Sequence, residues 1–372
     1  MKIVAPAARL GGALLALAGA GLLASGCATP TEPRFTSFQG WKNFETFQRV
    51  TNGNGVTLTS PRLKTGGAWR ELIVSWNASC PPGAHLRAEA RGFHAGRPTK
   101  FYTLGLWSED TAGNPRESVK GQRDGDGTVL TDTLVVRQPM EEAQIRITLS
   151  GAGENFLPRL KFAGASFLGG SGPSEKVSAR PVAWGKIIDV PQRAQTGHPG
   201  AKGWCSPACV SMLLAHWAKV LHRSELDVPV PQVAAGVQDR NLPGTGNWVF
   251  NTAFAGKFEG MRAVVTRFDD VSEIEEWVAA GIPVAVSVSF DFLNGRPVDD
   301  GNGHLIVVVG FTGTGDVVVN DPWPNPKKEN TVRKVFPRQN LVKAWERSRR
   351  AVYLICPETM KVPENRRGHW AD

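Results

Sequence analysis

The sequence predicts two domains in series, an antiparallel β-sandwich over residues 35–168 and a mixed α+β domain over residues 183–357. Three observations predict this. As far as Leu168 the chain is almost entirely short strand-like stretches separated by Pro, Gly and Asp turns. Gly169-Gly-Ser-Gly-Pro-Ser-Glu-Lys176 is the clearest linker in the chain, and a linker is expected over 169–182. Beyond it, helical and strand periodicities alternate. A chain of 372 residues has the length for two domains of ordinary size.

The first segment is expected to lie outside the fold. Lys2 and Arg9 flank the apolar run Leu10–Leu23, the plan of a secretory signal peptide and too short for a comfortable membrane span. The run ends in Ala24-Ser-Gly-Cys27, which resembles a bacterial lipobox with Ala24 in place of the usual Leu. That resemblance implies a signal peptide over 1–26, lipidation of Cys27 and anchoring in the bacterial cell envelope. Ala28 after the Cys implies sorting to the outer membrane if the host is Gram-negative. Residues 27–34, with two prolines, read as a tether.

In the first domain, strands are expected at Leu72–Trp76, Leu86–Arg91, Lys100–Trp107, Val129–Val136 and Gln144–Leu149. Leu86–Arg91 and Ala143–Leu149 alternate small or apolar with polar residues, as strands with one wet face do. Trp41, Trp69, Trp76 and Trp107 are expected in the core; exposed together they would make a platform for sugar rings. Asp124-Gly-Asp-Gly127 lacks the spacing of a calcium loop and reads as a turn.

In the second domain, Ser206 is expected to cap, and Pro207 to begin, a buried helix on which Val210, Leu213, Leu214, Trp217 and Leu221 recur. Ser272-Glu-Ile-Glu275 reads as a capping box for a helix stopped by Gly281. Strands follow at Ile282–Phe290, His304–Phe311 and Asp316–Asn320, then a helix at Asn340–Ser348 and a strand at Ala351–Ile355. The tail 358–372 is polar and expected to fray.

The formal charge of +9, from 43 basic and 34 acidic residues, comes without a basic run interleaved with aromatics. Nucleic acid is therefore not an expected partner. An exported basic surface more plausibly meets an envelope glycan or other anionic polymer, or lipid headgroups. Cys80, Cys205, Cys209 and Cys356 are too few for a disulfide framework. Of these, Cys205 sits where the helix begins, and a helix N-terminus favours the thiolate.

A Cys nucleophile needs a base, and the base a group to hold it. Of seven His, His216 lies about 16 Å along the helix from Cys205, too far to serve. The same distance rules out a compact metal site of Cys205, Cys209 and His216. His304, at the mouth of an apolar strand, remains. No metal and no cofactor is expected.

Taken together, Trp204-Cys-Ser-Pro-Ala-Cys209, Gly303-His-Leu-Ile-Val-Val-Val-Gly310 and Val319-Asn-Asp-Pro322 resemble the papain-like cysteine peptidases. They are most similar to a stand-alone branch of the bacteriocin-processing (double-glycine leader) peptidases, family 39 of the cysteine peptidases. The resemblance covers about Ala183–Pro357 and implies a papain-like fold for the second domain. It would make Cys205 the nucleophile, His304 the base and Asp321 the orienting acid. A Gln upstream would help to form the oxyanion hole: Gln195 is preferred because similar stand-alone members carry Val-Pro-x-x-Ser-Gln here, with Gln192 the alternative. Ser206 departs from the family's usual Gly. The function implied is an exported peptidase or amide hydrolase acting on a peptide or protein substrate. An acyltransferase of transglutaminase type would use the same residues, and a non-catalytic envelope lipoprotein would keep only the fold.

A pairing argument bears on Asp321 against Asn320. If Thr312-Gly-Thr-Gly315 is a four-residue hairpin loop, Phe311 pairs with Asp316 and His304 falls opposite Trp323. Asp321 is then the diagonal neighbour of His304, and Asn320 faces away. A slip of one residue would exchange the two.

Overall fold

In a computed structural model of the chain the described residues are 34–153, 156–170, 178–242, 244–324 and 331–371. The expected signal peptide, Cys27 and the tether up to residue 33 lie outside the described residues, as does the middle of the linker. The first half comprises β1 (Phe35–Trp41), β2 (Gln48–Asn52), β3 (Gly55–Thr59), β4 (Leu63–Ser79), β5 (His85–His94), β6 (Arg97–Pro98), β7 (Tyr102–Trp107), β8 (Gly127–Leu130), β9 (Thr133–Ser150) and β10 (Arg159–Gly169). The sheet runs β1-β10-β4-β9-β3-β2, with β5 and β8 also on β9, and with β6 and β7 on β5. Its pairings are antiparallel.

Two strands here are far longer than the sequence predicts. The stretch read as Val129–Val136 breaks at Thr131, whose φ of 60° makes the turn from β8 into β9. Conversely, β9 runs for 18 residues through Pro139, which reads as a breaker. The pairing of β9 with β4 is irregular between Trp69 and Glu71, beside Pro139, so the missing N–H leaves no regular ladder bond unmade there. Trp69, Trp76 and Trp107 are fully buried, in the core as expected.

The second half is mixed. Helices α1 (Cys205–Leu221), α2 (Val230–Val237) and α3 (Trp248–Gly256) precede β11 (Met261–Arg267), α4 (Val271–Ala279), β12 (Val284–Ser289), α5 (Phe290–Leu293), β13 (Gly303–Phe311), β14 (Val317–Asn320), β15 (Arg333–Phe336), α6 (Arg338–Arg347) and β16 (Ala351–Pro357). The six strands pair antiparallel in the order β11-β16-β12-β13-β14-β15, and α1 packs on β13 and β16. The capping box of α4 is Asp270 with Glu273, two residues earlier than expected. Glu275 is instead fully buried and accepts bonds from Arg180 N, Trp184 Nε1 and Arg338 Nη1.

The two halves interlock. Asn77 of β4 uses its amide as a strand would, donating to Ala263 O at 2.6 Å and accepting from Ala263 N at 3.0 Å on β11. Phe250 of α3 lies between Trp76 and Trp107, with ring centroids 6.2 and 5.6 Å away. Asp132, in the turn before β9, accepts from Trp248 N at 2.6 Å at the start of α3.

The tail is not frayed as far as residue 371. Trp370 is 3% exposed, its ring edge-on to Phe268 and Trp277, and Gly368 O accepts from Phe38 N of β1. Burying one large indole is worth about 2–3 kcal/mol, which offsets part of the entropy cost of ordering the polar segment around it.

Candidate active site

α1 begins at Cys205 rather than beyond it. Trp204 occupies the N-cap position with no side-chain bond. Ser206 does not cap because its hydroxyl is turned across to the Tyr353 hydroxyl on β16, at 2.9 Å. Pro207 falls at the third helical position, where its missing N–H is still one the helix would leave free. The Cys205 sulfur is thus at the first helical residue, nearer the positive end of the helix than expected.

His304 follows the first residue of β13 and pairs with Val288 of β12. Its Nε2 meets Asp321 Oδ1 at 2.7 Å, and its ring stands edge-on to Phe290 at 5.4 Å. With Nε2 engaged, Nδ1 is the nitrogen left for the Cys205 thiol, and the two groups lie close enough for each to shift the other's titration. Cys205, His304 and Asp321 therefore stand together. Asp321 is 1% exposed and His304 5%.

The electrostatics follow from this contact. Burial would raise the Cys205 thiol, but His304 and the N–H groups of Leu305 and Ser206 outweigh it and hold the thiol below its ordinary value. For His304, burial opposes the charge, yet Asp321 and Cys205 raise the imidazole to about 9. Burial likewise works against the Asp321 carboxylate, but His304 and Lys334 hold it below the usual range. Cys80 and Cys356 are pushed up to about 12 by burial, and Cys209 well above its ordinary value. Cys205 alone of these four thiols is not fully buried.

The hairpin reaches the expected geometry by a different route. Phe311 pairs with Val317, not Asp316, so the loop is one residue longer than expected. A bulge between Val308 and Gly310 removes that offset, and Val307 pairs with Asn320. Continued outward, this register again sets His304 against Trp323, with Asp321 as its diagonal neighbour. Asn320 turns the other way, donating to Val190 O at 3.1 Å and accepting from Arg333 Nε at 2.6 Å.

The two glutamines separate clearly. Gln192 is exposed and accepts from Arg333 N at 3.0 Å, at the edge strand β15. Gln195 is 3% exposed, its backbone N bonded to Pro322 O at 2.8 Å, beside Asp321. Its Nε2 reaches Ala201 O at 3.4 Å, four residues before Cys205, while its buried Oε1 has no partner.

His216 stays apart from this group, its Nδ1 3.2 Å from Asp189 O. Among the described residues no cluster of three His, Cys, Asp or Glu is arranged for a metal ion. Sequence reasoning missed Lys334, which contacts Asp321, and Tyr353, which holds Ser206. The strand carrying Lys334, β15, was not expected, because Val332-Arg-Lys-Val-Phe336 shows no alternation of apolar and polar residues.

Comparison with known proteins follows the same division of the chain. Residues 45–167 match the Peptidase C39 N-terminal domain, and residues 187–353 match the Peptidase_C39 like family. Comparison with curated proteins gives no match. Among solved structures, the chain is similar to the crystal structure of a candidate C39-like peptidase from Bacillus anthracis, at 18% identity and a TM-score of 0.35. That alignment covers 48% of this chain and 99% of the other.

Proposed function

The chain is a family 39 cysteine peptidase-like protein, and from that premise we propose that it is a cysteine hydrolase cleaving peptide or amide bonds. The observation that carries this reading is the juxtaposition of Cys205, at a helix N-terminus, with His304, which is hydrogen-bonded to Asp321. The Cys205 thiolate attacks the substrate carbonyl carbon, forming a C–S bond while the carbonyl oxygen takes up the negative charge. Gln195 Nε2, swung from Ala201 O, and the Cys205 N–H hold that oxyanion. His304 passes its Nδ1 proton to the leaving amine as the C–N bond breaks, then takes a proton from the water that releases the acyl group. Asp321 keeps the ring oriented and stabilises its imidazolium.

In this reading the second half is papain-like and the first half is a β-sandwich that serves as a partner-facing module. An envelope glycan or other anionic polymer fits the basic charge of +9. The proposed location is the bacterial cell envelope, with the chain anchored through a lipid on Cys27. Mass spectrometry of the mature N-terminus tests the anchor: a modified Cys27 as first residue is expected, and an unmodified chain starting elsewhere overturns it. For the activity, a thiol-directed probe followed by substrate profiling is the test. Cys205→Ala should lose both labelling and hydrolysis; full hydrolysis by that variant sinks the proposal.

A further inference from the structure

Asp321 does not face His304 alone. Its Oδ1 takes the His304 ring nitrogen and the Trp323 N–H, at 2.7 and 2.9 Å. Its Oδ2 accepts from the Lys334 ammonium at 2.6 Å, and the same nitrogen reaches Trp323 O at 2.7 Å. Lys334 pairs with Val319 across β14 and β15, so its side chain returns from the neighbouring strand over the turn at 321–323. That side chain is 15% exposed, and the carboxylate beneath it 1%.

Counting charges shows what the ammonium does. A thiolate on Cys205, an imidazolium on His304 and a carboxylate on Asp321 leave one net negative charge in a buried place. Lys334 brings the set to neutrality, which matters because an uncompensated buried charge is costly. The other titratable groups facing this set do not alter the count. Cys209 on α1 and Tyr353 on β16 are both buried, and both are held neutral by that burial. Arg333, next to Lys334, is turned to Asn320 on the other side of the strand. Phe290, against the ring, is apolar.

A buried carboxylate strengthens the imidazolium's hold on its proton, and a cation on the far side of that carboxylate weakens the hold. We propose that Lys334 is a positioning residue of this site, tuning His304 through Asp321: its charge offsets the carboxylate, and its bond to Oδ2 keeps Oδ1 aimed at the ring. The aspartate then combines the hydrogen-bond strength of an ionised acceptor with much of the electrical neutrality of an amide. This inference rests on Cys205 and His304 acting as a thiolate–imidazolium pair.

The test needs no substrate. Alkylation of Cys205 by iodoacetamide, read by mass spectrometry from about pH 5 to about pH 10, reports thiolate formation and then a second step as His304 loses its proton. Imidazole NMR reads that second step directly. Lys334→Met and Lys334→Gln should move it alkaline by about one unit, less than a directly adjacent charge would. Lys334→Gln keeps a donor for Oδ2 and loses only the charge, so it serves if Lys334→Met fails to fold. Lys334→Arg, which keeps the charge, should restore the wild-type profile. An unchanged profile in a folded Gln or Met variant overturns the inference, as does an equal shift in all three. Slow alkylation of wild-type Cys205 near pH 6, no faster than a free thiol, would overturn the pair itself and is distinguishable from either.

Discussion

Four cysteines among the described residues meet four different surroundings, and reactivity should follow. Cys205 is the one whose thiol is held down, while Cys80 and Cys356 are pushed up to about 12 and Cys209 further. Near neutral pH, Cys205 should alkylate at least ~100-fold faster than the others, measured by peptide mapping after brief labelling. Uniform labelling would contradict this. Because His304 is raised to about 9, its proton stays available to a leaving group up to that pH and is lost above it. Hydrolysis should therefore hold through neutral pH and fall above about pH 9, whereas alkylation, which needs no proton donor, should not fall there. Asp321→Ala should lower turnover by about 10²–10⁴-fold, since the ring loses its orienting acceptor. Asn320→Ala should act on stability instead, because its bonds go to Val190 and Arg333. The opposite ranking, in two folded variants, would show that Asn320 is the partner of His304. Cys205, His304 and Asp321 were legible because each is set in a short local pattern. Lys334 was not, since its role comes from cross-strand pairing that no local pattern records.

At the level of elements, α1 and the β13–β14 hairpin carry the site, and both differ from expectation by a residue or two. The helix takes in Cys205 because Ser206, the expected cap, spends its hydroxyl on Tyr353. The hairpin keeps the expected facing only because a longer loop and a bulge cancel. Neither compensation can be read from residue periodicity, which is blind to bulges. The merging of predicted strands into β9 has the same origin: Pro139 marks a break unless the ladder is already irregular beside it. α3 is tied to the first half by Asp132, which accepts from Trp248 N, while its own N-cap Asn247 accepts from Phe250 N. Asp132→Ala should cost about 1 kcal/mol of unfolding free energy in denaturant titration while leaving the Cys205 alkylation rate unchanged.

Across the whole molecule, the division into two sheets was legible from composition and periodicity, but the closeness of their union was not. Asn77 substitutes its side-chain amide for a backbone unit and meets both polar groups of Ala263. Nothing in an Asn near the end of a strand pattern announces such a bond. Asn77→Ala strands two buried backbone groups, and a loss of about 3 kcal/mol in unfolding free energy is expected. The peptidase-like half expressed alone, residues 183–357, would expose Phe250 and leave Ala263 unpaired. It should elute as aggregate or show no fixed near-ultraviolet dichroism; a stable monomer would refute this.

The union of Gly368 with Phe38 also bears on how the chain is made. During translation β1 leaves the ribosome more than three hundred residues before the segment that clasps it. For about 10–40 s, at ordinary elongation speeds, the N-terminal sheet must wait with the Asn77 amide and the Trp76–Trp107 cleft unfilled, and β1 waits longer still for its clasp. Such a nascent form has the exposed apolar surface and unmet polar groups that chaperones bind. Nascent chains stalled before residue 250 should therefore be held by chaperone, and those released after residue 371 should not.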